Sequence, residues 1–326
     1  MSPRPSSLSA PSIHATLRSS GWTKLTGVIL DDPLKQAKAK AAAAYDAASD
    51  HFDDAPLSFW DRIGRRTVEG LALPSGGNVL DVGCGTGASA LPAARVVGPN
   101  GFVIGVDLAA RLLDRARDKA KALGLSNIEF RCADMTSLGY PDGRFHAVVS
   151  VFSIFFVPDM EGMVRELWRM VRPGGKLAVT TWGPRIFEPA YSRWLAAIKR
   201  ERPDLHSAFN PWDRITDVES VRRLLRDGGV SNAEVAAESG FQTLRSAEDW
   251  WIIALGSGLR WVIDQMGPDV AARVKTDNVN WLSENKIDRL EINAGGQPEK
   301  GLTYEYSRAG EGFHRHVHEG RARGRR

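Results

Sequence analysis

Cysteine is almost absent from this 326-residue chain. Cys84 and Cys132 stand far apart without C-x-x-C spacing, which excludes a disulfide framework and a structural zinc site of the usual kind. Long apolar runs are also missing. The longest, Ala147 to Val157, has eleven residues and contains Ser150 and Ser153, well short of the roughly 20 that cross a bilayer. It reads as a buried strand and its exit loop. No internal repeat and no secretory apolar core is visible. Acids are scarce at both ends: residues 1–30 carry Arg4, Arg18 and Lys24 for a charge of +3, and residues 315–326 carry five arginines against Glu319 for +4. The formal total is +4, so the intervening body stands at −3. The high isoelectric point, near 9.1, therefore belongs to the ends and gives little support to a nucleic-acid surface. Scarce cysteine with no secretory segment places the chain in the cytoplasm. The basic, Ser-containing start also resembles a transit peptide, but it is poorly amphipathic.

What is present is an ordered alternation. Residues 1–30, rich in Ser and Pro, read as a disordered leader, and 311–326 as a basic disordered tail. Asp31-Asp32-Pro33 starts a helix that continues to Ala48, and Leu57–Leu71 forms a second one ending before Pro74. Short apolar strands then alternate with helical segments, the pattern of a parallel sheet covered on both faces. The strands are Asn78–Val82, Phe102–Asp107, Ile128–Arg131, Ala147–Val151 and Lys176–Trp182, with helices at Ala88–Val97, Ala109–Leu123 and Met160–Val171. Beyond Trp182 the alternation fails. Tyr191–Arg200, Val218–Arg226 and Glu248–Met266 look helical, so residues 183–300 read as a cap, with Ala233–Ala237 and Leu302–Ser307 as strands at the far edge of the same sheet. The fold class is α/β, with one domain over 31–310.

The chemistry lies at the strand ends. Val79-Leu80-Asp81-Val82-Gly83-Cys84-Gly85-Thr86-Gly87-Ala88 takes an apolar strand into a turn with Gly at alternate positions and opens a helix, so backbone can approach a ligand without Cβ obstruction. Read as G-x-G-x-x-A, with Asp107 24 positions after Gly83, it also satisfies a weak dinucleotide fingerprint. The glycines alone leave the cofactor open. Asp81 helps to choose, because a carboxylate at the mouth of the first strand would repel a pyrophosphate. S-adenosylmethionine (SAM) has no phosphate and carries an ammonium and a sulfonium, so an acid there is favourable. Asp107 ends the second strand, where it can accept from both ribose hydroxyls, and Asp134 follows the third, placed to accept from the adenine amine. Three acids at three neighbouring strand ends suit a cationic nucleoside.

Leu80-Asp81-Val82-Gly83-Cys84-Gly85-Thr86-Gly87, Gly105-Val106-Asp107, Ala133-Asp134, Tyr140-Pro141-Asp142-Gly143-Arg144-Phe145 and Val171-Arg172-Pro173-Gly174-Gly175-Lys176-Leu177 together resemble a class I SAM-dependent methyltransferase, of the branch that includes ubiquinone and menaquinone biosynthesis methyltransferases. The resemblance covers about residues 40–182. It implies a doubly wound, seven-stranded, mostly parallel sheet of order 3-2-1-4-5-7-6 with strand seven antiparallel, a Rossmann-like methyltransferase fold with a helical C-terminal cap. It divides the domain into N-terminal lid helices (31–72), a SAM-binding core (73–182) and a substrate region (183–300). SAM is the implied cofactor. The expected contacts are Asp81, Gly83, Cys84, Gly85 and Gly87 around the first turn, Asp107 and Leu108 after the second strand, Ala133, Asp134 and Met135 after the third, and Ser150 on the fourth. Tyr45-Asp46 resembles a pair in the family's lid helix, where Tyr45 serves equally well as a cofactor contact or as packing. The chain departs from the pattern at His146, where the family commonly has Asp.

Structural readings compete with several of these residues. His146 reads as a satisfied strand residue, the Cys84 thiol as packing, and Arg172-Pro173-Gly174-Gly175 as a turn. His314, His316 and His318 alternate as metal ligands do, yet adjoin the Arg-rich tail, and no metal is expected. Methyl transfer is an in-line displacement in which alignment and exclusion of water supply much of the rate, so no dedicated base is mandatory. His206, Asp159 and Tyr191 are the candidates if the acceptor is a phenol or hydroxyl. Seven of ten tryptophans follow Thr181, and Phe152, Phe155 and Phe156 leave the fourth strand where the methyl should point. Core packing competes, but the arrangement favours a small, largely apolar or aromatic acceptor. A nucleic-acid methyltransferase that modifies amino groups would show D/N/S-P-P-Y/F where this chain reads Ser150-Val151-Phe152-Ser153. A protein methyltransferase, a non-catalytic SAM-binding protein and an NAD-dependent oxidoreductase are the remaining rivals.

Overall fold

Runs such as Val79-Leu80 and Val148-Val149 are apolar at consecutive positions, so each strand must bury both faces. In the computed structural model they do so in a six-stranded sheet. The structure describes residues 33–207, 210–294 and 306–307. The leader, the tail with its three histidines and most of Leu302–Ser307 lie outside the described residues. The five parallel strands are β1 (Asn78–Val82), β2 (Phe102–Asp107), β3 (Ile128–Cys132), β4 (Phe145–Val151) and β5 (Val171–Thr180), in the order 3-2-1-4-5. Val79, Val103, Ala147 and Ala178 face one apolar cluster and Leu80, Ile104, Val148 and Leu177 the other, as the two-residue period of a strand requires. Helices α1 (Pro33–Ala48), α2 (Phe59–Gly70), α3 (Ala90–Val97), α4 (Ala110–Ala122) and α5 (Met160–Met170) occupy the predicted positions to within two residues.

The far edge differs from the expectation. β6 (Phe241–Thr243) and β7 (Arg289–Glu291) form a separate antiparallel pair, and β8 (Tyr306–Ser307) takes the edge of β5 antiparallel, pairing with Lys176 and Leu177. The described sheet therefore has six strands, five of them parallel, instead of seven. Ala233–Ala237 is not a strand: with β8 on the β5 edge it has no ladder to join, and only the adjacent Glu238 forms an isolated bridge to Ala294. The fifth strand also begins earlier than predicted, at Val171, with a register shift between Phe145 and Ala147 on its partner.

After β5 come α6 (Ala190–Glu201), α7 (Val218–Asp227), α8 (Glu248–Leu255), α9 (Arg260–Met266) and α10 (Pro268–Glu284). The predicted helix Glu248–Met266 is two, broken at Gly256-Ser257-Gly258. α10 escapes the sequence reading because its buried stripe Val274-Asn278-Leu282 contains an asparagine. Asn278 belongs there because it accepts from Trp250 Nε1 at 3.1 Å and donates to Val274 O at 3.0 Å. Trp194 stands 1% exposed between Trp250 and Trp251. Replacing Trp194 with Ala is expected to cost about 3–5 kcal/mol in a urea melt, the usual loss for a large aromatic removed from a core. A loss under about 1 kcal/mol would show that this cluster is loosely packed.

Candidate functional site

The glycine turn after β1 is held by its own backbone and by one carboxylate. Gly83 and Cys84 N–H donate to Val106 O at 2.8 and 3.0 Å, Gly85 N–H donates to Asp107 Oδ2 at 2.9 Å, and Ala109 N–H donates to Asp107 Oδ1 at 2.9 Å. Two of the glycines are required by geometry. Gly83 lies at φ +69°, where an added Cβ would stand 2.3 Å from Ser153 Cβ, and Gly85 lies at φ +52° with its open side toward the Phe52 ring, a backbone region that other residues enter only with strain.

Two acids lie beside this turn, Asp81 buried and Asp107 half-buried, and no basic side chain among the described residues pairs with either. Asp81 is 1% exposed, and its Oδ2 accepts from Ser89 Oγ at 2.7 Å. Its Oδ1 finds no hydrogen-bond partner, although the Ala90 amide is nearby. Burial first, then the charge of Asp107, pushes the Asp81 carboxyl up to about 7. Burial likewise raises Asp107, against the pull of the Ala109, Gly85 and Leu108 amides. An orphaned carboxylate oxygen, a second unpaired acid and a Cβ-free turn fit a cationic nucleoside without phosphate, which SAM is.

A cavity opens over this turn. Of the residues expected to touch the cofactor, Gly83, Cys84, Gly85, Asp107, Leu108, Ala133 and Met135 line it. Asp81, Gly87, Asp134 and Ser150 do not. Asp81 sits one layer behind, through Ser89, which does line the cavity, and Gly87 faces Leu91. Ser150 Oγ meets Ser153 Oγ at 2.6 Å, and Ser153 takes the place at the wall. Asp134 turns toward α1 and accepts from Lys38 Nζ at 2.7 Å and from the Thr136 amide at 2.9 Å. Burial pushes its carboxyl up, but those contacts outweigh it and leave Asp134 below the usual range. The Cys84 thiol is buried and pushed far up, so it stays protonated and inert. His146 lies at the opposite end of β4, accepting from Asn78 N–H at 2.9 Å and touching Arg172.

Sequence reasoning missed the contribution of residues 52–60. Thr86 Oγ1 in the glycine turn donates to Asp53 Oδ1 at 2.7 Å, and Arg115 and Lys119 from α4 hold the same carboxylate at 2.9 and 3.0 Å. Phe52 and Trp60, stacked with planes 1° apart and centroids 5.2 Å apart, form a wall of the cavity. No spacing rule links Asp53 to a turn 33 residues later.

A second cavity, of about 570 Å³, adjoins the first, and Ala41, Tyr45, Trp60 and Phe156 line both. Trp182, Trp194, Trp212 and Trp261 line the second, the first two from within the core cluster, whereas Trp250 and Trp251 are buried away from it and Trp281 packs, partly buried, against the core. Tyr191 and His206 face this cavity. Asp159 does not, being occupied in capping α5 through Gly162 N–H at 2.7 Å. Burial, reinforced by Asp107, pushes the Tyr45 phenol well above its ordinary range.

Residues 79–175 match the methyltransferase-domain family. A demethylmenaquinone methyltransferase of Listeria welshimeri is 36% identical over 190 residues, 54% of this chain and 79% of its own. The chain belongs to the SAM-dependent methyltransferases. Nocamycin O-methyltransferase of Saccharothrix syringae is 28% identical over 73% of this chain and 89% of its own, and aklanonic acid methyltransferase of Streptomyces sp. (strain C5) is 35% identical over 44% and 66%, respectively. No helix of the described residues of this methyltransferase is long and apolar enough to cross a membrane.

The raised Asp81 carboxyl gives the methyltransferase a pH signature. Between about pH 4 and 7 the folded protein keeps a proton that the unfolded chain has lost, so stability without cofactor falls as pH rises through that window and levels above it. A bound cation favours the charged carboxylate, so SAM affinity is expected to rise with pH up to about 7, with release of a proton. Titration calorimetry in two buffers of different ionisation enthalpy checks this. Unchanged pH dependence in Asp81→Asn would assign the proton elsewhere.

Proposed function

We propose that this methyltransferase transfers a methyl group to a small, largely apolar or aromatic acceptor held in the 570 Å³ cavity, with the cofactor over the glycine turn. The observation that carries the reading is the shared wall: Tyr45, Trp60 and Phe156 line both cavities, so a donor in one and an acceptor in the other meet at an aromatic junction. Names of relatives that include small-molecule methyltransferases support it. The region 183–300 acts as the cap that closes the acceptor cavity, 31–72 as the lid and 73–182 as the SAM-binding core.

SAM, when bound, supplies an electrophilic methyl group on a sulfonium. The chain's part is to bind, orient and exclude water. Backbone at Gly83, Cys84 and Gly85 and the side chain of Asp107 receive the nucleoside, while Leu108, Ala133 and Met135 pack around it. The junction aromatics shield the sulfonium, and cation–π attraction offsets part of its lost hydration. Alignment across the junction then supplies rate without a dedicated base. If the acceptor atom carries a proton, His206 is the candidate to take it. Asp159 is committed to its cap, and burial raises the Tyr191 phenol, which stays protonated. The test uses labelled SAM with quinols, phenols and polyketide-like acceptors against RNA, DNA and protein. Methylation of the small molecules is expected, and methylation confined to macromolecules overturns the proposal.

A further inference from the structure

The lining of the acceptor cavity contains a cation that no described carboxylate neutralises. Lys40 Nζ stands 3.3 Å from the centre of the Trp261 ring, and both residues line the cavity. No acid among the described residues forms an ion pair with it. Asp204, the lining carboxylate, is instead held by Arg202 at 2.6 and 2.8 Å. Lys40 as a residue is exposed, and partial burial of its ammonium lowers it from its ordinary value. The Trp261 face fixes the ammonium in place, which reduces the freedom lost on meeting a ligand.

Position along α1 adds a length. Ala37, Lys40, Ala41, Ala44 and Tyr45 line the cavity, the i, i+3, i+4 pattern of one helical face. Ala41 and Tyr45 belong also to the cofactor cavity. Five residues separate Lys40 from Tyr45, roughly 7.5 Å along the helix at 1.5 Å per residue.

Resting on the reading that this cavity holds the acceptor, we propose that Lys40, braced on Trp261, binds an anionic substituent of the acceptor, a carboxylate or its equivalent, about one aromatic ring away from the atom that receives the methyl. The substrate class is thus an aromatic or polyketide-like acid bearing a separate hydroxyl or carbon nucleophile. In the hydroxyl case the oxygen lone pair forms the new bond to the methyl carbon, the carbon–sulfur pair returns to sulfur to give the thioether, and the hydroxyl proton passes to His206, which lines the same cavity. The anionic group is a handle and emerges unmethylated.

The full chain saturated with S-adenosylhomocysteine tests this with two fluorescent probes of one skeleton, 1-anilinonaphthalene-8-sulfonate and neutral N-phenyl-1-naphthylamine. Lys40→Met is expected to weaken the sulfonate about fivefold and leave the neutral probe unchanged, with Lys40→Arg restoring the difference and added salt erasing it. No change for the sulfonate, or an equal loss for both probes, overturns the role of Lys40. Failure of the wild-type protein to bind the neutral probe sinks the cavity reading itself, which separates the two failures.

Discussion

Asp107→Ala is expected to weaken SAM binding by about a hundredfold or more, because hydrogen bonds to a charged group contribute about 1.5–3 kcal/mol each and at least two are lost. One loss is direct, to the ribose hydroxyls the carboxylate is proposed to hold. The other is internal: Asp107 accepts from the Gly85 and Ala109 amides, so the glycine turn loses its tether. Asp107→Asn keeps one acceptor oxygen and relieves the crowding of negative charge around Asp81, so it should fall between wild type and Ala. Calorimetry on variants shown by circular dichroism to be folded decides the matter. Near-normal affinity in Asp107→Ala would remove Asp107 from the cofactor site.

The second large effect is expected at a position outside the glycine turn. Gly258 lines the acceptor cavity alone, and an added Cβ there would stand 3.3 Å from the Tyr45 hydroxyl. Gly258→Phe therefore places a ring against the junction from the acceptor side. Turnover of small acceptors should fall about a hundredfold, the usual consequence of displacing a reactant by about an ångström, while SAM affinity falls much less, because Tyr45 is the one residue of the cofactor cavity within 4 Å of the new Cβ. Equal loss of both functions would mean that the two cavities are one site. Retained turnover would place the acceptor elsewhere.

Strong local signals made the glycine turn and the cavity over it legible. Gly83 and Gly85 are forced by positive φ, Asp107 by its place at the end of a strand, and the strands by apolar runs that need cover on both faces. Each depends on neighbours within a few residues. Asp134 shows the limit: its strand-end position was readable, but its capture by Lys38, 96 residues away, was not. Ser150 and Ser153 exchange places for a similar reason, since Phe152 at φ +54° turns the chain between them.

The acceptor side depended on contacts that sequence does not encode locally. Seven tryptophans after Thr181 formed one indistinct group; packing divided them into four that line a cavity and three that do not. Asp53 reaches Thr86, and Lys40 meets Trp261 across 221 residues. The β6–β7 pair joins two three-residue segments, too short for periodicity to register. The sequence by itself determined the parallel sheet, the glycine turn and the acids at its strand ends, because backbone sterics and strand burial act over a few residues. The tertiary structure alone decided which acid faces the cavity, which aromatics bound it and where a cation stands without a counter-ion among the described residues, because those outcomes depend on which distant helices pack together.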